Sequence, residues 1–390
     1  MPKNRLLTRR RTLWLGLGTL AGMGAIVTAK VRDKKKPIPY DPKRDFSVVG
    51  EASLKERAAA KGLIYGAAGR YLDLSNNKEL AIRFAQECAI LVPEWELKWA
   101  PLRPSPDKFD FAATDWMAQY AQNQKLLFRG HTLVWGVSLP DWFKETVNRQ
   151  NAEQFLVKHI QTVAGRYAGK MHSWDVVNEA IEPFNERPDG LGETPWLEFL
   201  GPDYIELAFR VAAEADPQAM LVYNDYGMEY DNSRDEARRT AVLKLLERLK
   251  SKGTPIHALG IQAHLEGDAT EFNPKKLRNF LRDVSSLGLK ILITELDVVD
   301  KKLPLDVVVR DRIVASIYED YLSTVLDEPA VIAVLTWGLS DRYTYVSEFH
   351  PRADSAPVRP LPLDTSLKRK LAWNAIARAF DNAPKRQVEG

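Results

Sequence analysis

Residues 289–298 read LKILITELDV. A short apolar run closes on Thr294 and Glu295, with Asp297 two residues on. An amphipathic stretch, Pro274–Leu287, precedes it, and another, Leu305–Leu326, follows. An apolar run set between two helix-period segments predicts a strand–helix unit. The same alternation continues outward in both directions. Further strands are expected at Leu63–Ala67, Ile90–Pro93, Lys125–Leu133, Ser173–Asn178, Met220–Asn224, His257–Gln262 and Val331–Trp337, beside Lys290–Thr294 itself. Further helices are expected at Lys78–Glu87, Phe111–Gln122, Ala152–Tyr167, Asp203–Ala215, Asp235–Ser251 and Ser366–Phe380. A short helix over Ser53–Lys61, opened by a Ser cap, precedes the first strand. Eight such pairs predict an α/β fold, a (β/α)8 TIM barrel forming a single catalytic domain over residues 53–382. The competing architecture, a doubly wound open sheet, would carry a glycine-rich phosphate loop after its first strand. That place reads GAAGRYLD and lacks the fingerprint.

Composition narrows the class. Of 390 residues, 45% are apolar and 27% charged, which excludes collagen-like, coiled-coil and wholly disordered chains. The single cysteine, Cys88, leaves no intramolecular disulfide and no cysteine zinc site. The net charge of +3 is unevenly spread: residues 1–36 hold ten Lys/Arg and one Asp, leaving 45 basic against 51 acidic residues elsewhere. A body of that balance has no electrostatic footprint for nucleic acid. The basic stretch RLLTRRRT (residues 5–12) leads into an apolar segment, Leu13–Ala29, loosened by four glycines and ending in small residues. That order predicts an export signal with a basic flank over residues 1–36, and the arginine run resembles a twin-arginine signal. The protein is therefore expected in the periplasm or outside the cell, or held there by an uncleaved N-terminal anchor. Residues 37–52 read as a proline- and charge-rich linker, and 383–390 as a C-terminal tail.

Barrel chemistry sits at the C-terminal ends of the strands. The fourth apolar run ends in Asn178-Glu179 and the seventh in Glu295, with Asp297 beyond. The third carries His131 and Trp135, the fifth ends in Asn224-Asp225, the sixth in Gln262 and His264, and the eighth in Trp337. Two glutamates converging with amides, imidazoles and indoles suit glycoside hydrolysis. One carboxyl protonates the leaving oxygen, and the other attacks the anomeric carbon or activates water. Taken singly, each residue has a plainer reading: a strand-end Glu as a loop cap, the histidines and tryptophans as core. Their coincidence at one predicted mouth carries the functional reading. No HExxH or close His/Asp cluster calls for a metal.

These stretches, GHTLVW, WDVVNEA, GIQAH, ITELDV and TWGLSD, resemble glycoside hydrolase family 10, the retaining endo-β-1,4-xylanases, from about Ser53 to Asp381. The resemblance implies that Glu179 is the acid/base and Glu295 the nucleophile, with His264 and Asp297 supporting Glu295. It implies that Asn178 meets the 2-hydroxyl of the sugar at the cleavage point. Glu94, Lys98, His131, Trp135, Gln262, Trp337 and Tyr345 would complete the substrate-binding set, and no cofactor or metal is implied. The implied partner is a β-linked polysaccharide, xylan or a related glycan, acted on by a monomer without an obligate protein partner. The chain departs from the family pattern at Trp95, where an Asn is usual, and at Gly136 and Ser138, where His and Gln are usual. Tyr345 stands where a second tryptophan is usual. Gly136 and Ser138 are expected to leave open space, or to have it filled by a neighbouring loop such as the one around Tyr343–Tyr345. Alternative readings are hydrolysis of another β-linked polysaccharide, or a carbohydrate-binding protein of low turnover.

Overall fold

A computed structural model describes residues 41–185 and 187–386. The predicted export signal and basic flank, residues 37–40 of the linker and residues 387–390 of the tail lie outside the described residues. Eight parallel strands close into a barrel: β1 (Ile64–Gly69), β2 (Ile90–Pro93), β3 (Leu127–Val134), β4 (Ser173–Asn178), β5 (Met220–Asp225), β6 (Ala258–Ile261), β8 (Lys290–Val299) and β9 (Val331–Thr336). Each pairs with the next in that order; β1 pairs with β9, and β6 with β8, so no barrel edge is left open. The predicted (β/α)8 barrel is the fold.

Two apolar layers hold it. Inside the barrel, Ile90, Val92, Val222, Ala258, Leu292, Ala333 and Leu335 pack together below Trp337. Outside, the facing residues of the strands meet the helices in one large core. Trp174 of β4 is part of that outer layer, and it fits only because residue 130 of β3 is glycine: a Cβ there would lie 1.9 Å from the indole. Helix starts follow local chemistry. Asn273 accepts from Lys276 N at 3.2 Å ahead of Pro274, opening the helix Pro274–Ser286. The helix expected from Leu305 starts at Val307, because the Asp306 carboxylate accepts from Val308 N and Val309 N. The last helix starts only at Leu371, since Asp364 holds the backbone of Ser366 and Lys368 in a turn.

Two further differences bear on the site. The sixth strand, expected to reach Gln262, stops at Ile261. Ala263 adopts φ +61, and a short strand β7 (His264–Glu266) then pairs with the outer half of β8, from Asp297 to Val299. The seventh predicted strand, expected to end at Thr294, accordingly runs to Val299. Leu296 and Val298 are fully buried on one face while Glu295 and Asp297 take the other, which is strand alternation that the polar residues had masked. The described part of the expected linker lies against the barrel as a strap. Phe46 is 4% exposed, its carbonyl accepts from Asn374 Nδ2 at 3.0 Å, and Arg44 bonds Glu319 at 2.8 Å. The described start of the tail is likewise tied down, with Arg386 N donating to Lys61 O at 2.9 Å. No helix among the described residues is long and apolar enough to cross a membrane.

Candidate active site

Glu179 follows β4 and Glu295 lies in β8, so parallel pairing brings both to one mouth of the barrel. Glu179 has φ +57, a left-handed turn that costs a residue with a Cβ about 1–2 kcal/mol. The turn is held by Glu179 N donating to Asn224 O at 2.9 Å. Its carboxylate accepts from Trp135 Nε1 at 2.9 Å and from Gln262 Nε2 at 2.8 Å. Gln262 also holds the other glutamate's backbone, since Glu295 N donates to Gln262 O at 2.9 Å. The kink at Ala263 lets residues on either side serve different carboxylates: Gln262 serves Glu179, and His264 serves Glu295.

Glu295 is buried. Asn224 Nδ2 donates to its Oε1 at 2.8 Å, and His264 Nε2 lies 3.2 Å from its Oε2. Burial pushes this carboxyl up. The His264 hydrogen bond and the charges of His131, His264 and Lys98 overcome that and hold it at about 2. Glu295 is therefore ionised at any ordinary pH. His264 is the reciprocal case: burial works against its charge, but Asp297 at 3.1 Å from Nδ1, together with Glu295, raises it well above the usual imidazole range. It is an imidazolium donating from both nitrogens.

Asn178 does not reach Glu295. Its Oδ1 accepts from Asn224 at 2.8 Å and, at 3.4 Å, from Gln262, while its buried Nδ2 has no protein partner. That leaves one amide donor at the mouth for a ligand. His131 is 2% exposed, with Nδ1 3.0 Å from Asp175 and 3.9 Å from Glu295 Oε1. It belongs to the floor of the site, anchored through Asp175 to Arg129. Lys98 sits among three indoles, 5.0 Å from Trp135, 5.8 Å from Trp95 and 5.9 Å from Trp337. Burial pushes its ammonium down, against the charges of Glu295, Glu94 and Glu179. Glu94 is raised by burial and countered by Arg70, which bonds it. Tyr345 turns its hydroxyl inward to His264 Nδ1 at 3.1 Å.

The expected open space at Gly136 is absent. A Cβ at that position would lie 2.8 Å from Thr194 Cγ2, so a threonine from the loop after β4 already fills it. Ser138 is likewise engaged through its backbone, at φ +55 with its carbonyl accepting from Ala100 N at 2.9 Å. Trp95 is the exposed departure, with 44% of its surface open.

Several site residues were given no role of their own from the sequence. Asn224, the last residue but one of β5, bridges Asn178 and Glu295, at a strand end picked out by the same rule as Glu179. Its neighbour Asp225 accepts from Ile181 N at 3.3 Å, steadying the chain just after Glu179, and burial pushes it up to about 7 despite Arg238 and Tyr223. Asp175 and Thr294 are inward-facing strand residues that lie within WDVVNEA and ITELDV but were given no role there. Arg70 and Thr194 come from loops that only the fold brings near. Among the described residues no cluster of His, Cys, Asp or Glu could hold a metal ion.

The model of glycosyl hydrolase family 10 matches residues 53–379. An endo-1,4-beta-xylanase A of Caldicellulosiruptor sp. (strain Rt8B.4) is 35% identical over 73% of this chain, which spans 42% of that longer protein. An endo-1,4-beta-xylanase B of Thermotoga neapolitana is 33% identical over 68% of this chain and 73% of its own. Xylanase 10B of Thermotoga petrophila RKU-1, solved in complex with xylobiose, superposes with a TM-score of 0.77 at 31% identity, covering 86% of this chain and 99% of that one.

Proposed function

The chain belongs to glycosyl hydrolase family 10, and from that premise we propose that it is an endo-acting, retaining hydrolase of β-1,4-xylosidic bonds in xylan, with Glu179 as acid/base and Glu295 as nucleophile. One observation carries the assignment of roles. The two glutamates share a mouth in unlike settings: Glu295 buried, ionised and clamped by two donors, Glu179 half-buried and open to exchange with water. In the first step a Glu295 carboxylate oxygen attacks the anomeric carbon. The bond to the leaving sugar's oxygen breaks as Glu179 gives that oxygen a proton, and a glycosyl ester of Glu295 results. In the second step Glu179 takes a proton from water, the water oxygen bonds to the anomeric carbon, and the Glu295 carboxylate is released. Asn178 Nδ2, buried and unpartnered, is placed to donate to the 2-hydroxyl, a contact that strengthens as charge develops on the ring. Glu94, Lys98, Trp135 and Trp337 form one wall for neighbouring sugars, and His131 supports the floor.

Product analysis on xylan and on a panel of β-linked polysaccharides tests the reaction. Glu295→Gln abolishes turnover of every substrate. Glu179→Ala spares aryl glycosides, whose leaving groups need no proton; equal loss on natural and activated substrates would remove Glu179 from the acid role. The exposed Trp95, with residue 136 closed off by Thr194, supports a second reading in which the preferred chain is another β-linked glycan. The panel separates the two by which polymer gives the highest kcat/KM. We propose further that the protein acts as a monomer after export through its arginine-bearing leader, to the periplasm or beyond. Fractionation and size-exclusion of the full-length product check both.

A further inference from the structure

Tyr345 lies at the cleft, in the loop after β9, and its ring packs edge-on to His264 with centroids 5.5 Å apart. Its position in the loop is fixed by what surrounds it. Its carbonyl accepts from Phe349 N at 3.0 Å in the short helix Val346–Phe349, and its ring packs against the buried Val299, Val346 and Val358. The hydroxyl is not offered to the cleft. It lies 3.1 Å from His264 Nδ1, on the same edge where Asp297 Oδ2 lies 3.1 Å away. The opposite ring nitrogen, Nε2, faces Glu295 Oε2 at 3.2 Å.

The chemistry of those four groups fixes the direction of each bond. Glu295 and Asp297 are acceptors when ionised, and the imidazolium has two N–H donors and no acceptor. Nε2–H therefore donates to Glu295. Nδ1–H is shared between the Asp297 carboxylate and the phenolic oxygen. Burial, then the Asp297 and Glu295 charges, push the phenol far up, so it keeps its proton. It cannot give that proton to an N–H, which leaves the adjacent Asp297 carboxylate as acceptor. Asp297 Oδ1 is buried and has no hydrogen-bond partner, so the contact to the imidazole edge is carried by Oδ2. A strand residue, Asp297 of β8, and a loop residue, Tyr345, thus grip one edge of the imidazole and aim the other.

We infer that Tyr345 is a positioning residue for Glu295: with Asp297 it pins the Nδ1 edge of His264 and so holds Nε2–H on the carboxylate oxygen. A tyrosine does this where a tryptophan in the same place would bring an indole without the hydroxyl. The inference rests on the reading of Glu295 as nucleophile, and the two fail separately. Glu295→Gln tests that reading by its loss of all turnover. The relay is tested on the full chain with Tyr345→Phe and Tyr345→Trp, both of which keep an aromatic ring. Each variant is read by kcat and KM on xylo-oligosaccharides and by the ring N–H signals of His264 in histidine-labelled protein. The relay predicts altered Nδ1–H and Nε2–H signals in both variants. It predicts a kcat about 10-fold lower, the loss of one hydrogen bond to a charged network, with KM within about 2-fold. A role in sugar stacking predicts the reverse: Tyr345→Phe unchanged, and KM raised only when the ring is removed in Tyr345→Ala. Unchanged His264 signals in Tyr345→Phe, or changed signals with an unchanged kcat, overturn the inference.

Discussion

The contact between Gly136 and Thr194 sets what the loop after β3 can carry, and it can be broken from either side. An alanine at 136 would bring its Cβ within 2.8 Å of Thr194 Cγ2 and 3.1 Å of Thr194 Cβ. Carbon atoms rest at about 3.5–4.0 Å, so the overlap is close to 1 Å. Thr194 has little room to retreat. Its hydroxyl caps the helix Pro195–Leu200, accepting from Leu197 N at 3.1 Å, and the next residue but one, Trp196, bonds Trp135 O at 2.9 Å. Forced packing of this kind costs about 1–3 kcal/mol, so Gly136→Ala is expected to destabilise by about 2 kcal/mol. Thr194→Ser removes Cγ2 and keeps the capping oxygen, at a cost of about 0.5 kcal/mol. In the double variant the clash with Cγ2 is gone, and a coupling of about 1–2 kcal/mol in favour of the pair is expected. Urea midpoints of the four proteins at constant slope measure the cycle. The same strain reaches Glu179, because Trp135 donates to it from the residue just before Gly136, so kcat/KM falls in Gly136→Ala and recovers in the double variant. A cost below about 0.5 kcal/mol for Gly136→Ala, or no coupling to Thr194→Ser, would falsify the account. A histidine placed at 136 without changing Thr194 is expected to be worse than alanine, and not to gain a sugar contact.

Asn224→Ala removes a donor from Glu295. Because that carboxyl is held low, activity persists above its value of about 2 and is lost as pH falls through it; the variant moves this acid limb of kcat/KM up by about 1–2 pH units, and an unmoved limb refutes the role of Asn224. Lys370→Met strands Asp341, whose partner is now 2.8 Å away. Burial already holds Asp341 up at about 6 despite Lys370, so the penalty builds as pH rises through the carboxylate range: a loss of about 3–5 kcal/mol in neutral urea melts is expected, and a smaller one in mild acid. Trp95→Ala is expected to raise KM about 5-fold on long xylo-oligosaccharides with kcat little changed, since its open indole offers a face to sugars without touching either glutamate; the length series shows which sugar is lost.

The barrel was readable because its signals are local. Ile90–Pro93, Ser173–Asn178 and Lys78–Glu87 agree to the residue with the apolar runs that announce them. The strand-end rule then gathered Glu179, Glu295, Gln262, His264 and Trp337 at one mouth. What stayed hidden depends on distant partners. Nothing near Ala263 announces a left-handed residue between two strands, because its cause is the pairing of β7 with β8. The filling of the place beside Gly136 comes from Thr194, 58 positions away by number, and no pattern in either stretch refers to the other. Asn224 stands at a strand end, but an asparagine has no chemistry of its own to distinguish it from a turn residue. Phe46 sits in a stretch whose prolines and charges read as tether, and only its docking against the last helices makes it structural.

The long strand β8 changes partner midway, and this divides the freedom of the molecule unevenly. Up to Ile293 it is laced to β6, from Asp297 it is laced to β7, and its register against β9 shifts between Ile293 and Leu296. Glu295 occupies the hand-over, where a local irregularity can aim a side chain that regular pleating would not. Backbone on both flanks, not a loop, therefore fixes its height above the barrel. The surrounding loops inherit the opposite property: they can lengthen, shorten or exchange residues without carrying the attacking oxygen with them. Selection for a new polymer can act on the exposed Trp95 in the loop after β2 while that oxygen stays still, whereas the loops after β3, β4 and β9 carry Trp135, Glu179 and Tyr345 and are tied to the reaction centre.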